Sequence, residues 1–294
     1  MPSLFQEVKA ACLELGLKPR KRFGQNFVIQ PTVLDAILRF LDLGCDDQVL
    51  EIGPGMGFVT RRLVSVARRV WAVEVDPLLV NWLSRGPLGS DPRFTLVHGD
   101  ILKVDLETIL PPRGVKLVAN LPYSISTAVL FRVFDQRKHF STLVLMVQEE
   151  VAERMAASPG SKSYGTLSVW CQVHGKILGR QRVSPGNFFP RPKVRSTILK
   201  IALHPYPLIH PRYFPALRQL LRASFGQRRK ILGNALARSM GKKGPEAAEI
   251  LRQLGVDPTR RGETLELDEW LHLAVSLQGL LSSEDGVMTE SAVP

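Results

Sequence analysis

Cysteine is scarce in this chain, with three residues in 294, at Cys12, Cys45 and Cys171. They lie far apart, so spacing offers neither a zinc site nor a disulfide framework, and reduced thiols and no metal are expected. Long hydrophobic runs are also missing. No stretch approaches the roughly 20 apolar residues that a membrane span needs. The N-terminus carries Glu7 and Lys9 among short apolar pieces, without the apolar core and cleavage site of a secretory signal. A cytoplasmic protein with no membrane partner is therefore expected. The largest deficit is of negative charge. Residues 154–245 hold 18 Lys+Arg and no Asp or Glu, while residues 1–153 hold 18 basic against 17 acidic and residues 246–294 hold 3 against 10. A carboxylate-free segment of this length suits a polyanion, and favours nucleic acid over a small substrate as the partner.

What is present reads as an α/β chain. The length allows one large domain and a smaller one. Short runs rich in Val, Leu and Ile, as in strands buried on both faces, fall at Gln48–Ile52, Val70–Val75, Phe94–His98, Lys116–Ala119 and Thr142–Val147. Helical patterns occupy Pro31–Leu41, Phe58–Val66, Pro77–Ser84, Ser126–Phe134, Glu149–Ala157 and Gly165–Val173. Two further strands are expected at Lys176–Val183 and Ser196–Leu203. Pro205, Pro207 and Pro211 then punctuate a linker. Beyond it, Tyr213–Ser224, Arg229–Met240, Glu246–Leu254 and Leu267–Leu280 all have helical spacing. The expected division is residues 1–205 as the catalytic domain, 206–281 as a small all-α domain, and 282–294 as a disordered tail.

The chemistry concentrates at strand ends. The first strand runs into Glu51-Ile52-Gly53-Pro54-Gly55-Met56-Gly57-Phe58, a turn that lets the backbone approach a ligand at the carboxyl edge of a parallel sheet. A dinucleotide fingerprint would need glycine at position 58, where Phe stands. The next strand ends in Glu74-Val75-Asp76, either carboxylate being placed to bind ribose hydroxyls, and the third ends in His98-Gly99-Asp100. Together these suit a nucleoside ligand without phosphates. The fourth ends in Asn120-Leu121-Pro122-Tyr123. There the Asn120 oxygen and a main-chain carbonyl of Leu121 or Pro122 can accept the two N–H bonds of an adenine amine, and Tyr123 offers a ring for an unstacked base.

The Asn-Leu-Pro-Tyr strand end resembles the motif of amino-methyltransferases. With Arg20–Phe27, Asn187–Ser196, Ser224–Lys230 and Arg261–Leu265, the chain over roughly residues 18–275 resembles the ribosomal RNA adenine N6,N6-dimethyltransferase family of the bacterial kasugamycin-sensitivity type. The resemblance implies a Rossmann-like class I methyltransferase sheet with a small C-terminal all-α domain. It also implies S-adenosylmethionine as cofactor, and two adjacent adenines in the 3′-terminal hairpin loop of 16S rRNA as substrate. The partner would be the immature small ribosomal subunit, and a monomer is expected. Carried over position by position, the cofactor would meet Gln25, Asn26, Val28, Gly53, Gly55, Glu74, Val75, Asp100, Ile101 and Asn120. The target adenine would meet Asn120, Leu121, Pro122, Tyr123 and Phe188, the last ring facing Tyr123 across the base. RNA contacts would fall on Arg191, Arg195, Arg222, Arg228, Arg229 and Lys230. At Met56-Gly57 the family varies between Gly and Ala, which puts nothing in doubt.

Three rivals are set against this. A DNA adenine methyltransferase more often carries Asp at position 120 and lacks the basic helical tail. A nicotinamide-dependent oxidoreductase fails on Phe58. A ribosome-assembly factor whose methylation is secondary is compatible with the charge pattern, whereas an inactive RNA-binding module would leave the aligned strand ends without a purpose.

Overall fold

The alternation of apolar runs and helices builds a seven-stranded sheet, with a separate two-stranded ribbon, in a computed structural model that describes residues 2–17 and 25–281. Arg20–Gly24 and the expected tail at 282–294 lie outside the described residues. The strands are β1 (Phe27–Val28), β2 (Gln48–Ile52), β3 (Arg69–Glu74), β4 (Phe94–His98), β5 (Val115–Asn120), β6 (Phe140–Gln148), β7 (Gly175–Val183), β8 (Phe188–Phe189) and β9 (Ser196–Leu203). The helices are α1 (Leu4–Glu14), α2 (Pro31–Leu41), α3 (Phe58–Val64), α4 (Pro77–Arg85), α5 (Ser126–Asp135), α6 (Glu149–Met155), α7 (Thr166–His174), α8 (Phe214–Phe225), α9 (Leu232–Ala237), α10 (Gly244–Gln253) and α11 (Leu267–Leu277).

Most expected elements end within a residue or two of these bounds. The pattern at Arg229–Met240 shrinks to α9, and α11 stops at Leu277. Helix α1 and the β1–β8 ribbon have no counterpart among the elements expected from sequence.

The seven-stranded sheet has the order β4-β3-β2-β5-β6-β9-β7. Strands β2 to β6 pair in parallel, and β9 runs antiparallel to β6. From β2 the chain builds outward through β3 and β4, then returns to place β5 on the other side of β2. Crossovers therefore diverge at the carboxyl ends of β2 and β5, and a parallel sheet leaves its crevice at such a switch point. The central strands are apolar on both faces: Val49, Leu50, Leu117, Val118, Leu143 and Val144 are all buried, because crossover helices cover the sheet. Helix α2, opened by Pro31 at its first turn, presents Val33, Leu34, Ile37 and Leu41 to that core. Burying one such side chain stabilises the fold by about 1.5–3 kcal/mol.

The chain divides into two compact units, 1–152 with 176–205, and 153–175 with 206–294. This differs from the expected boundary, because 153–175 goes with the helical unit. The cause is long-range packing: Trp170 of α7 sits edge-on to Phe214 of α8 at 5.1 Å, and Tyr164 to Phe225 at 5.9 Å. The Gly160 amide donates to the Glu263 carbonyl and the Leu208 amide to that of Val173. Trp170, Trp270, Leu217, Leu220, Leu221 and Leu273 are fully buried in this unit. Among the described residues no helix is long and apolar enough to cross a membrane.

Candidate active site

Strand β2 delivers the chain into a turn in which Gly53, Gly55 and Gly57 have φ of 67°, 60° and 80°, the left-handed region that favours glycine. A Cβ at Gly57 would meet Leu83 at 2.8 Å and Leu88 at 2.9 Å; at Gly55 it would meet the Phe27 ring at 3.3 Å. The turn is thus pressed against the core on one side and open to a cleft on the other.

That cleft is open at its mouth and holds about 1110 Å³ of free space when the solvent there is counted. All ten positions expected around the cofactor line it: Gln25, Asn26, Val28, Gly53, Gly55, Glu74, Val75, Asp100, Ile101 and Asn120. Asn120 and Pro122 represent the adenine-facing set there, while Leu121, Tyr123 and Phe188 do not line this space.

The two carboxylates ending β3 play different parts. Glu74 Oε1 accepts from the amides of Val75 and Asp76, each at 2.9 Å, and Oε2 from Gly55 at 3.2 Å. Three of its roughly four acceptor positions are used, which leaves one on Oε2 beside the glycine turn. Burial raises its pKa, and the three amides partly offset that. Asp76 is fully buried. It caps α4 through the Leu78 amide and accepts from Gln25 Nε2 at 2.7 Å, so its carboxylate is consumed in structure and Glu74 is the one that faces the cleft. Asp100 uses Oδ1 to accept from the Leu102 amide at 3.0 Å.

Asn120 ends β5, and its Nδ2 donates to the Asn26 carbonyl at 3.1 Å. The Leu121 amide is tied to the Met146 carbonyl, and the Pro122 carbonyl accepts from Ile125 to close the turn. Tyr123 is half-buried, with its hydroxyl 3.0 Å from Ser196 Oγ. Burial raises the phenol's pKa, partly offset by that bond, so it stays protonated at neutral pH.

Phe188 departs from its expected place. It is 3% exposed and packs in the core with Val28, Val33 and Leu34. Pairing of β8 with β1 sets Phe188 against Val28 and Phe189 against Phe27, and neighbours on a strand face opposite ways. Phe189 is half-buried and edge-on to Phe5 at 5.7 Å.

Two groups were not foreseen from sequence. Glu51, 4% exposed, lines the cleft and accepts from Thr60 Oγ1 at 2.6 Å. Burial, eased by Thr60 and reinforced by Glu74, pushes its pKa up to about 7. Its signal is a lone carboxylate inside the apolar run Val49–Ile52. Ser196, 1% exposed, is marked by sequence only as a segment boundary, with no role at the site.

The basic positions divide by unit. Arg191 and Arg195 are exposed in the loop before β9; Arg222, Arg229 and Lys230 are exposed in the helical unit. Arg228 differs from its neighbours. Its guanidinium donates to Glu263 at 3.0 Å and to the Lys162 carbonyl at 2.9 Å.

A mostly parallel seven-stranded sheet with this strand order, and a glycine turn, a carboxylate and Asn-Leu-Pro-Tyr at adjoining strand ends, defines a Rossmann-like class I methyltransferase. Within that class the chain belongs to the ribosomal RNA adenine dimethylase family, whose model matches residues 16–278. It is 44% identical over 276 residues to "Ribosomal RNA small subunit methyltransferase A" of Geobacter metallireducens, covering 90% of this chain and 98% of that protein. It is likewise 44% identical over 263 residues to the protein of that name from Syntrophotalea carbinolica, covering 89% and 97%. Among solved structures, a dimethyladenosine transferase from Plasmodium falciparum shares the fold, with a TM-score of 0.74 at 24% identity over 86% of this chain and 98% of that one. The 23S rRNA methyltransferase ErmE is similar with a TM-score of 0.62 at 25% identity, over 86% and 100%. The chain is accordingly an S-adenosylmethionine-dependent rRNA adenine dimethyltransferase. The cleft fits that cofactor: main chain without side chains at Gly53 and Gly55, an acceptor left on Glu74, and apolar walls at Val75 and Ile101.

Proposed function

We propose that this chain transfers methyl groups to N6 of two adjacent adenines in the 3′-terminal hairpin loop of 16S rRNA, giving N6,N6-dimethyladenosine. The carrying observation is the convergence of Gly53–Gly55, Glu74, Asp100 and Asn120 on one cleft, the ends of four neighbouring parallel strands. In this reading the substrate is the immature small subunit, and the chain acts as a cytoplasmic monomer. The small-subunit relatives support it at 44% identity.

S-adenosylmethionine supplies an electrophilic methyl carbon when bound. The chain's own part is to hold and to exclude water. Gly53 and Gly55 let the main chain lie against the nucleoside, Glu74 Oε2 accepts from a ribose hydroxyl, and Asp100 accepts from the adenine amine. Gln25, Asn26 and Val28 close the methionine side.

At the target base, Asn120 Oδ1 and the Leu121 carbonyl accept the two N–H bonds. Held this way, the N6 lone pair would be directed toward the side of the cleft where the cofactor would sit. The Pro122 carbonyl is already engaged by Ile125, which favours Leu121 for that part. Tyr123 gives the base a face to stack on. The N6 proton becomes acidic only after attack and leaves to water, so no strong base is needed. Rate enhancement comes from orientation and desolvation. Arg191, Arg195, Arg222, Arg229 and Lys230 contact phosphates.

The test is a labelled methyl-transfer assay on small subunits lacking the modification, followed by digestion to nucleosides. Dimethyladenosine at two adjacent positions is expected. Label confined to large-subunit RNA or to DNA would overturn the substrate, and tight binding without label would favour a pure assembly factor.

A further inference from the structure

We infer that the main-chain carbonyl of Asn26 is a positioning group for methyl transfer: it fixes which way round the Asn120 amide stands, and so makes an amide rather than a carboxylate the group this site requires at position 120. The inference rests on the reading above, in which Asn120 holds the target amine.

A carbonyl only accepts, so the Asn120 atom facing it at 3.1 Å must be the NH2 end. Oδ1 is thereby turned away from Asn26. Both residues line the same cleft, so the acceptor is the end left to meet a ligand's N–H. Neither partner can drift. Asn26 directly precedes β1, whose Phe27 and Val28 are each 7% exposed and pair with Phe189 and Phe188. The Ile29 amide adds a bond to the Asn187 carbonyl at 2.9 Å. Asn120 sits at the end of β5, paired with Met146 of β6. Flipping the amide would break its bond and set Oδ1 against a carbonyl oxygen, two acceptors with no proton between them.

An aspartate at this position has the same shape but, when ionised, no proton for Asn26. It can restore the arrangement only by protonating, so that one oxygen donates to Asn26 and the other accepts from the base. An Asn120→Asp enzyme should therefore work in its neutral form, and the variant's activity should follow the protonated fraction of one carboxyl group.

The experiment compares Asn120→Asp, Asn120→Ala and wild type on unmodified small subunits at saturating cofactor, from about pH 5.5 to about pH 8.5. Taking the ratio to wild type at each pH cancels titration of Glu51 and other shared groups. For the Asp variant the ratio should fall about tenfold per pH unit above the carboxyl's pKa. The deficit should keep growing to the alkaline end of the range. The Ala variant should stay low at every pH. A flat ratio for the Asp variant, or one rising with pH, overturns the inference.

Should the variants not fold, wild type gives an independent reading. With 15N-asparagine and 13C-carbonyl labelling, a coupling across the hydrogen bond from the Asn120 side chain to the Asn26 carbonyl is expected, and its absence overturns the assignment. If wild type itself methylates no adenine in rRNA, the proposed function has failed. If wild type is active and the ratio is flat, only the positioning role has.

Discussion

The Tyr123 hydroxyl lies 3.0 Å from Ser196 Oγ, which ties the strand-end motif of β5 to the first residue of β9. Ser196 is 1% exposed, so the bond holds the far edge of the ring from inside the protein. Ser196→Ala should loosen the ring without touching the cofactor cleft, which Ser196 does not line. The expected result is a fall of roughly tenfold in kcat/KM, equivalent to one ordinary hydrogen bond, with unchanged S-adenosylmethionine affinity. Tyr123→Phe should cost a similar factor, and the double variant little more, because both remove one interaction. Additive losses would show that the two residues act separately.

Phe188 provides a test between packing and stacking. Its ring is 3% exposed and belongs to the same core cluster as Val28, Val33 and Leu34, so Phe188→Ala should lower stability by about 3–5 kcal/mol, read by urea denaturation. Phe188→Leu should keep most of the stability and the activity. If Leu at this position preserved the melting temperature but abolished methyl transfer, the ring would have to leave the core and meet the base, as the family resemblance implied.

Glu51 predicts a pH signature. Its folded pKa, raised by burial to about 7, exceeds the ordinary 4.5. The folded state therefore holds a proton that the unfolded state has released, and stability falls as pH rises through that window. Glu51's favourable contribution is complete below about pH 4.5 and lost above about pH 7, a swing of order 3 kcal/mol. Glu51→Gln keeps the acceptor for Thr60 without the charge. In the cofactor-free protein it should match wild type at about pH 4.5 and be the more stable at about pH 8. Equal stabilities at both ends would mean that Glu51 titrates normally.

Much of the site was legible because strand ends announce themselves. Glycines, single carboxylates and Asn-Leu-Pro-Tyr each close an apolar run, and the parallel sheet gathers such ends at its switch point. What escaped had a physical reason. Two-residue strands such as β1 and β8 have no period to read, so their pairing, and with it the burial of Phe188, was invisible. Helix α1 did leave a mark in Ser3 and Gln6, whose capping box is formed. The grouping of 153–175 with the helical unit depends on Trp170 meeting Phe214, an interaction between distant segments that no local pattern encodes. Asp76 and Glu74 could not be separated by spacing alone; the bonds from Leu78 and Gln25 show which one is spent.

Arg228, Arg229 and Lys230 are consecutive cations with different duties. Arg228 bridges Glu263 and the Lys162 carbonyl inside the helical unit. Arg228→Ala should act mainly on stability, by up to about 1 kcal/mol for so exposed a pair, and leave RNA affinity nearly unchanged. Arg229 and Lys230 are exposed at the turn before α9. Reversing both to Glu should leave the melting curve in place but weaken binding to small subunits. For every phosphate that is no longer neutralised, the slope of log affinity against log salt should flatten by roughly 0.7–0.9. Filter binding across a salt series, with the melting temperature measured alongside, separates the two effects. An unchanged slope in the Arg229 and Lys230 double reversal would make them plain solvated surface. A flattened slope in Arg228→Ala would mean that its guanidinium leaves Glu263 for the RNA.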